Sequence, residues 1–372
     1  MAKSFSLLTI VEQAEPTGWR YYNGLFRHLA LEGVSPYLLN LSTSDEFRAR
    51  VEGSVEVFQE LGLTSAYYRA PLKIAAVLRR LRPEVVHAHE FIASGYLRWA
   101  NVAVRSAPPF VYGRHHMAPL RGLPRVLDRW GVAGAAAIVT NSRHSESSLL
   151  EEHPGARERS FVVGNGIELV DGPSQPDDPV IQALAAVESV PVLAVVGRLR
   201  PEKGHAVALE AFSILRDQGV RYRAVFIGEG EERARIEQDI AEKGLGDTVQ
   251  VPGATQAMAT ALSNVDVLVV PSLSEPFGIA AIEGLAAGLP VVASSIGGLL
   301  DIIRHEENGL LVPPSDPRAL AEAIRRLLQE PETVAAMGRR GMEDFEGRFT
   351  SAAMARGYLE VYRKLVANSV TA

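Results

Sequence analysis

Short apolar runs alternate with longer amphipathic segments along the whole chain. The short runs have the length of buried strands, and the longer segments repeat apolar residues at spacings of three and four, as one face of a helix requires. This alternation predicts an α/β protein built on parallel sheets. The predicted strands are Ser6–Val11, Val85–His89, Phe110–Gly113, Ala136–Thr140 and Phe161–Gly164, followed by Val192–Gly197, Arg223–Gly228, Thr248–Val251, Val267–Pro271 and Pro290–Ala293. The predicted helices are Arg20–Leu31, Leu72–Leu81, Ala206–Gln218, Glu231–Lys243, Ala280–Ala287 and Pro317–Gln329.

The two series of strands are separated by a segment with the composition of a linker. Residues 171–179 are rich in turn formers and poor in apolar side chains. A chain of 372 residues also exceeds what one hydrophobic core usually fills. We therefore expect a Rossmann-like domain over 1–168, a linker over 169–190 and a second Rossmann-like domain over 191–345. A ligand is expected in the cleft between them, beyond the carboxyl ends of the strands.

The composition excludes several kinds of site. Cysteine is absent, so disulfides, thiolate zinc sites and cysteine nucleophiles are excluded, which fits a reducing compartment. The apolar stretch Phe5–Val11 is too short for a signal-peptide core followed by a cleavage site. Trp130–Ser142 falls short of the ~20 apolar residues that a membrane span needs. These features predict a soluble, cytoplasmic protein.

Charge is distributed unevenly. Residues 1–165 carry 19 Lys/Arg and 15 Asp/Glu, whereas the remainder carries 19 and 29. Residues 69–129 alone hold 11 basic and 3 acidic residues. This stretch is either a solvated basic face or a surface that binds an anionic membrane or acceptor. In the membrane alternative, the protein is attached peripherally to the cytoplasmic side of the membrane. Residues 71–82 combine an apolar face with cations, which suits either a membrane surface or packing on the sheet. No nucleic acid is expected, because no binding module is recognisable.

Residues 192–204 have the pattern of an anion-binding turn. A buried strand leads to Gly197, a short loop follows, and a helix begins near His205. Anions favour such turns because free N–H groups and the helix dipole point towards them. Arg198 and Lys203 add two cations, which suits a diphosphate. The alternative is a solvated basic loop whose glycines only permit tight turns.

A second strand–loop–helix segment covers residues 271–290. Glu275 lies in its loop, and Glu283 lies in a helix of small residues that begins near Ile279. Carboxylates accept hydrogen bonds from pairs of sugar hydroxyls, so these two positions suit a sugar and a ribose. Glutamates near helix starts are also common for dipole reasons alone.

These segments resemble the family-4 retaining glycosyltransferases with the GT-B fold, over nearly the whole chain. Gly197–Gly204 matches the phosphate-binding turn of that family, and Glu275–Glu283 matches its paired-glutamate signature. Phe226–Arg233 and Val163–Ile167 match further landmarks in the family's order. The resemblance implies two Rossmann-like domains facing across a donor/acceptor cleft. It also implies that residues 346–372 return as a helix to the N-terminal domain.

The resemblance implies roles for individual residues. Arg198 and Lys203 would hold the donor diphosphate, Glu275 would contact the transferred sugar and Glu283 the ribose. A dinucleotide fold is not indicated by the glycines at 228 and 230, because Arg233 stands where the third glycine belongs. The other implied donor contacts are Gly228, Val251, Phe277, Gly278 and Ile279.

Histidines end two strands of the N-terminal half. The family has an important histidine near the donor sugar at the position of His115, with His116 one place off as the alternative. His87 and His89 are expected to be architectural or to face the acceptor. The alternative for the histidine at this position is a side chain held by local hydrogen bonds. The spacing of the four histidines does not support a zinc site.

The loop after the first strand departs from the family pattern. The family usually carries paired glycines there, close to the donor phosphates. This chain has Gly18 followed by Trp19. Gly18 still predicts a close approach of backbone to donor.

No Asp-x-Asp motif is present, so no metal and no other cofactor are expected. Arg198, Lys203 and helix N-termini would then stabilise the departing diphosphate. The resemblance implies retention of configuration, for which we favour front-face attack with the leaving phosphate taking the acceptor proton. A UDP-sugar is the favoured donor and GDP-mannose the next. The acceptor would be a glycan or glycolipid in surface polysaccharide or glycoconjugate synthesis. The alternatives are a nucleotide-sugar epimerase and a non-catalytic binding relative.

Overall fold

The computed structural model of the chain describes residues 4–12, 19–63, 67–115, 120–171, 177–185 and 190–371. It divides into two compact units, unit 1 with residues 1–168 and 350–372, and unit 2 with residues 169–349. Both contain a parallel sheet with helices between the strands, as the alternating pattern predicts. Most predicted elements are observed, with ends that agree to within two residues.

Unit 1 is built on seven parallel strands within its described residues, in the order β3-β2-β1-β4-β5-β6-β7. Both faces of the sheet are buried: Leu8 and Ile10 of the first strand point into one apolar cluster, and Leu7 and Val11 into the other. The strands are Phe5–Val11 (β1), Val34–Asn40 (β2), Val57–Glu60 (β3), Val85–His89 (β4), Phe110–Gly113 (β5), Ala137–Thr140 (β6) and Ser160–Val162 (β7). The helices are Trp19–Leu31 (α1), Asp45–Val51 (α2), Ala70–Leu81 (α3), Glu90–Val102 (α4), Gly122–Gly134 (α5) and Arg143–Glu152 (α6).

Unit 2 has six parallel strands among the residues described there, in the order β10-β9-β8-β11-β12-β13. The strands are Val192–Val196 (β8), Arg223–Ile227 (β9), Val249–Gly253 (β10), Val267–Val270 (β11), Val291–Ser294 (β12) and Gly309–Val312 (β13). The helices are Pro179–Ala185 (α7), His205–Asp217 (α8), Arg233–Glu242 (α9), Met258–Leu262 (α10), Ile279–Ala286 (α11), Leu299–Ile302 (α12), Pro317–Gln329 (α13) and Pro331–Arg348 (α14).

The range expected as a linker is partly helical. Helix α7 lies within it, and the chain just before α7 is bonded to unit 2. The Oδ1 atom of Asp178 accepts from the backbone N of Val180 at 2.9 Å, and its Oδ2 atom accepts from the Thr255 hydroxyl at 2.5 Å. The carboxylate of Asp178 therefore caps a helix and is buried.

The last helix, Ser351–Thr371 (α15), packs on unit 1. Its buried face includes Tyr358 and Tyr362, which lie in the same apolar cluster as Phe26 of α1. The two hydroxyl groups of Tyr21 and Tyr358 are 2.9 Å apart. Within the described part of the chain, no helix is long and apolar enough to cross a bilayer.

The helix that the sequence offered as a membrane-surface candidate is α3, and its apolar face is buried. Ile74, Val77 and Leu78 lie in the core of unit 1 and are at most a few per cent exposed. The structure therefore supports the alternative that the apolar face of this helix packs on the sheet.

Candidate active site

The strand order of unit 2 reverses between β8 and β11. Strand β9, the next in sequence after β8, lies on one side of β8, and β11 lies on the other. Loops that leave the carboxyl ends of two such strands diverge, and open α/β sheets bind ligands at this point. The loop after β8 carries Arg198 and Lys203, and the loop after β11 carries Glu275.

The turn after β8 lies against the turn after β9. The backbone N of Gly197 donates to Ile227 O at 3.0 Å, and that of Leu199 to Glu229 O at 2.9 Å. A Cβ atom on Gly228 would lie 1.9 Å from Gly197 O, so only glycine permits this approach. The glycine at 228 is therefore required by the packing of two backbones.

The loop that carries the two cations ends in a tight turn before α8. Arg198 is exposed, Lys203 is half-buried, and Gly204 follows in the left-handed region at φ +68°. A Cβ atom on Gly204 would lie 2.0 Å from Pro271 O, so this glycine also brings the loop against the end of β11. His205, the first residue of α8, is buried, and burial lowers its pKa to about 4. It is therefore neutral at pH 7.

Glu275 is held between the two loops. It is 6% exposed, and its Oε2 atom accepts from Lys203 Nζ at 2.6 Å and from Ser272 Oγ at 3.2 Å. Its loop is also tied to the turn before α8, because the backbone N of Leu273 donates to Glu202 O at 2.8 Å. The structure thus brings together Lys203 and Glu275, two of the residues expected at the site.

Helix α11 begins directly after this loop. Phe277 and Gly278 are buried, Gly278 has φ +119°, and the first residue, Ile279, is exposed. A Cβ atom on Gly278 would lie 2.7 Å from the side chain of Leu299. Glu283 lies half-buried one turn into the helix. The first turn of α11 therefore follows the Glu275 loop, and its first backbone N–H groups have no acceptor within the helix.

Val251, an expected donor contact, lies on β10 at the far side of β9. It is half-buried, and its carbonyl accepts from Arg233 Nη2 at 2.8 Å. The same guanidinium binds Glu229 in the turn after β9, at 2.5 Å from Oε1. Arg233, the residue that breaks the dinucleotide pattern, thus joins the turn after β9 to strand β10.

Unit 1 has its own reversal of strand order, between β1 and β4. Glu12 follows β1, and Glu90 follows β4. Neither glutamate was identified from the sequence, although an acidic residue directly after a predicted strand was available as a signal. Gly18 and His116 both lie outside the described residues.

The two glutamates have unusual environments. Glu90 is the first residue of α4 and has φ +64°, a left-handed conformation that is uncommon for a residue with a side chain. Its Oε1 atom accepts from the backbone N of His115 at 3.2 Å. Burial, with a smaller contribution from the charge of Glu90, raises the pKa of Glu12 to about 7. Strained and perturbed groups cluster at functional sites, which makes this edge a second candidate region.

His115 lies beside the histidines of β4. Its ring centroid is 5.9 Å from that of His89, and the rings of His87 and His89 are stacked at 4.0 Å. A Cβ atom on Gly113 would lie 2.7 Å from His87 Nε2, 3.3 Å from His115 Nε2 and 3.4 Å from His89 Nδ1. His87 Nδ1 is 2.7 Å from Tyr362 Oη. The missing side chain of Gly113 thus makes room for three imidazoles.

The two histidines of β4 are buried and neutral. Burial, with smaller contributions from neighbouring imidazoles, lowers the pKa of His87 to about 3 and that of His89 well below its usual range. His87 is hydrogen-bonded to Tyr362 of α15. His115 is half-buried nearer the carboxyl edge.

A separate group of charges is buried behind β5. Among the described residues, one cluster has carboxylate and imidazole atoms close enough to share a cation: Asp128, Glu152 and His153. The guanidinium of Arg114 occupies it, with nitrogens 3.1 Å from Asp128 Oδ1 and 3.1 Å from Glu152 Oε1. Tyr112 also donates to Asp128 at 2.5 Å. This network joins Arg114, just after β5, to Asp128 of α5 and Glu152 of α6.

Two family models match the chain in succession. The model described as Glycosyltransferase Family 4 matches residues 19–171, and the one described as Glycosyl transferases group 1 matches residues 177–344. Together they span both units.

Curated relatives are similar over most of the chain. The D-inositol 3-phosphate glycosyltransferase of Thermobispora bispora is 31% identical over 324 residues, which is 81% of this chain and 75% of the relative. The 2-deoxystreptamine glucosyltransferase of Streptomyces kanamyceticus is 29% identical over 321 residues, which is 80% of each chain.

Solved structures share the fold at lower identity. A glycosyltransferase from Rickettsia africae has a TM-score of 0.84 at 18% identity and covers 98% of this chain and 99% of its own. Anabaena HepE, solved in complex with UDP, has a TM-score of 0.79 at 19% identity, with 96% and 100% covered. These similarities confirm the fold class that the sequence resemblance implied, two Rossmann-like domains of the GT-B type. The chain belongs to the group 1 glycosyltransferases, in glycosyltransferase family 4, and is a glycosyltransferase.

Proposed function

We propose that the protein transfers a sugar from a nucleoside diphosphate sugar to a hydroxyl group of a glycan or glycolipid, with retention of configuration and without a metal. The observation that carries the proposal is the pairing of Lys203 with Glu275 at the reversal of strand order, with the exposed Arg198 in the same loop. Cations and a carboxylate side by side suit a ligand that has both a diphosphate and sugar hydroxyls.

In this proposal the diphosphate is bound by the loop after β8. Arg198 and Lys203 supply two positive charges, and the N-terminus of α8 supplies the partial charge of its dipole. The neutral His205 at that helix start adds no further charge. Charge that develops on the leaving diphosphate is stabilised by these fixed groups.

The sugar and ribose are assigned to the two glutamates. Glu275 is fixed by Lys203 and Ser272, so its remaining acceptor sites are oriented before a ligand arrives. Glu283, one turn into α11, is assigned to the ribose. The backbone amides of Phe277, Gly278 and Ile279 lie between these two carboxylates in the chain and are assigned to the donor.

The chemical step is a front-face substitution at the anomeric carbon. The acceptor oxygen forms a bond to that carbon on the face from which the β-phosphate oxygen departs, so the configuration is retained. The acceptor proton passes to the leaving phosphate oxygen, and the products are the glycoside and the nucleoside diphosphate. His115 orients or stabilises the transferred sugar and does not act as a nucleophile.

UDP is the first choice of base and GDP, as GDP-mannose, the second. Anabaena HepE, which shares the fold, has been solved with UDP and with UDP-glucose, and this supports UDP. The acceptors in the names of the curated relatives, D-inositol 3-phosphate and 2-deoxystreptamine, are small hydroxylated rings. Acceptor screening should therefore include such rings beside glycans and glycolipids.

The test is the thermal stability of the purified protein with UDP, GDP, ADP and their common sugars, in the presence of a chelator. We expect one nucleotide series to raise the melting temperature, and Arg198→Ala and Glu283→Ala to abolish the shift. Arg339→Ala, an exposed arginine of unit 2, is the matched control. No shift with any nucleotide would contradict the proposal.

Turnover distinguishes the proposal from its alternatives. With the stabilising donor, product should form only when an acceptor is added, and its anomeric configuration should match that of the donor. Conversion of the donor sugar without an acceptor would indicate an epimerase. Nucleotide binding without turnover on a broad acceptor panel would indicate a non-catalytic relative.

A further inference from the structure

Helices α4 and α5 lie side by side on unit 1 and expose two tryptophans to solvent. Trp99 of α4 and Trp130 of α5 have ring centroids 6.1 Å apart in an edge-to-face contact. They are 52% and 45% exposed. Large aromatic side chains in soluble proteins usually bury most of their area. Two neighbouring tryptophans that are both exposed therefore indicate an interaction surface.

Further apolar side chains on the same two helices are exposed. Val102 lies one turn after Trp99, and Val126 lies one turn before Trp130, so each belongs to the same helix face as its tryptophan. Val102 is 78% exposed, and Leu123, at the start of α5, is 63% exposed. We call Trp99, Val102, Leu123, Val126 and Trp130 the tryptophan face. Helix α3 exposes one large apolar side chain, Leu72, and no tryptophan, since most of its other apolar residues are buried.

The charges of α4, α5 and the segment between them are mostly positive. Residues 90–134 contain six arginines and two acidic residues, Glu90 and Asp128. Glu90 lies half-buried at the start of α4, where its carboxylate accepts from the backbone N of His115. Arg114 and Asp128 are buried and bonded to each other, so neither contributes to the surface. The remaining arginines are all exposed: Arg98, Arg105, Arg121, Arg125 and Arg129.

We propose that the tryptophan face and its five arginines bind the surface of a membrane that contains anionic phospholipids. Tryptophan favours the headgroup level of a bilayer, where its ring is apolar and its N–H group is hydrated. Arginines that surround such an apolar face are attracted by anionic headgroups. The charge complementarity favours this occupant over a second copy of the chain, since two copies of the face would bring like charges together.

The proposal is independent of the donor chemistry in unit 2. It identifies α4 and α5, and not the basic helix α3, as the membrane-facing surface of unit 1. A membrane-bound transferase would act on an acceptor held at that surface, which fits a lipid-linked glycan.

The experiment is flotation of the full chain with vesicles of phosphatidylcholine alone and of an equimolar mixture with phosphatidylglycerol. We expect binding only to the mixture. Trp99→Ala/Trp130→Ala and Arg125→Glu/Arg129→Glu should each lower the bound fraction, the second by at least about tenfold in the partition coefficient. Arg221→Glu/Arg339→Glu makes the same change in net charge at exposed positions of unit 2 and should not lower it. Circular dichroism melts verify that each variant is folded.

A fluorescence measurement follows the tryptophans directly. The chain has three tryptophans, so Trp19→Phe leaves Trp99 and Trp130 as the reporters. We expect their emission to shift to shorter wavelength when mixed vesicles are added and not when dextran sulfate is added. The proposal is overturned if vesicle binding survives the double tryptophan variant, if the unit 2 control loses it equally, or if dextran sulfate alone reproduces the shift.

Discussion

The ammonium group of Lys203 lies 2.6 Å from the Oε2 atom of Glu275, although 72 positions separate the two residues. Lys203 ends the turn before α8, and Glu275 lies in the loop after β11. The pair therefore joins the two loops that diverge where the strand order of unit 2 reverses. Ser272 Oγ donates to the same oxygen at 3.2 Å.

Removing both charges of this pair should destabilise the protein by less than the sum of the two single losses. Lys203→Met leaves a carboxylate that is 6% exposed without its cation, and we expect the free energy of unfolding to fall by about 1–3 kcal/mol. Lys203→Met/Glu275→Gln should lose less than the sum of the two single variants, since neither charge is then left unpaired. Urea denaturation measures all three. Additive losses would mean that the two residues are not coupled.

The same two residues should separate nucleotide binding from sugar transfer. Under the proposed function, Lys203→Met removes a diphosphate cation, and kcat/KM should fall by about 10²-fold to 10³-fold together with UDP affinity. Glu275→Gln removes a sugar contact, so transfer should fall while UDP, which has no transferred sugar, still binds. The matched control is Lys243→Met, which removes a lysine of unit 2 that pairs with Glu210 on the surface. Equal losses in Lys203→Met and Lys243→Met would contradict the assignment.

A methyl group at position 228 should disrupt the donor loops. Its Cβ atom would lie 1.9 Å from Gly197 O, and a backbone atom cannot move aside as a side-chain end can. We expect Gly228→Ala to lower the free energy of unfolding by about 1–3 kcal/mol and to weaken UDP binding. Gly246→Ala is the control, because no atom lies within 4 Å of the Cβ position there. Wild-type stability in Gly228→Ala would show that the two turns do not approach each other as described.

The sequence pattern predicted elements best where burial is complete. Val85–His89 and Phe110–Gly113 are continuous buried runs, and both strands have the predicted ends. Strand β2 was not predicted, because Pro36 interrupts its apolar run and its pairing with β1 is set by tertiary contacts. The surface of α4 was not predicted either, since an exposed tryptophan and a buried one look the same in a sequence.

The candidate site was predictable only in part. The sequence predicted Arg198, Lys203 and Glu275 as site residues, because each lies in a glycine-containing loop between a predicted strand and a predicted helix. Ser272 gives no signal of its own, since a serine in a loop is unremarkable until its hydroxyl is found against a carboxylate. Glu12 is similar: its raised pKa arises from burial and from Glu90, which is distant in sequence.

The neutral histidines of β4 should make the protein less stable in acid. The pKa values of His87 and His89 are lowered in the folded state, so the unfolded chain binds protons first as the pH falls below about 6.5. Their stabilising contribution is complete above that pH and declines as the pH falls towards 3, by at most about 1.4 kcal/mol per pH unit for each histidine. His89→Gln should reduce the slope in urea titrations at several pH values. His144→Gln, which removes an exposed histidine, should leave it unchanged.

Glu12 should make the protein less stable as the pH rises. Its pKa is raised to about 7 in the folded state by burial and by the charge of Glu90, whereas the unfolded value is 4.5. The folded state therefore holds the proton more tightly. The contribution to stability is complete below pH 4.5 and is lost as the pH rises through about 7. Glu12→Gln, which stays neutral, should raise the free energy of unfolding at pH 8 and hardly change it at pH 4.5.

Urea titrations of Glu12→Gln and wild type across this range measure the difference, with Glu151→Gln, an exposed carboxylate of unit 1, as the control. A Glu90→Gln variant adds a second arm. Removing that neighbouring charge should lower the pKa of Glu12. The free energy of unfolding of this variant should then decline less than that of wild type as the pH rises to neutral. If Glu12→Gln and wild type keep a constant difference at every pH, the carboxyl of Glu12 is not titrating in this range. That result would contradict the raised pKa of Glu12.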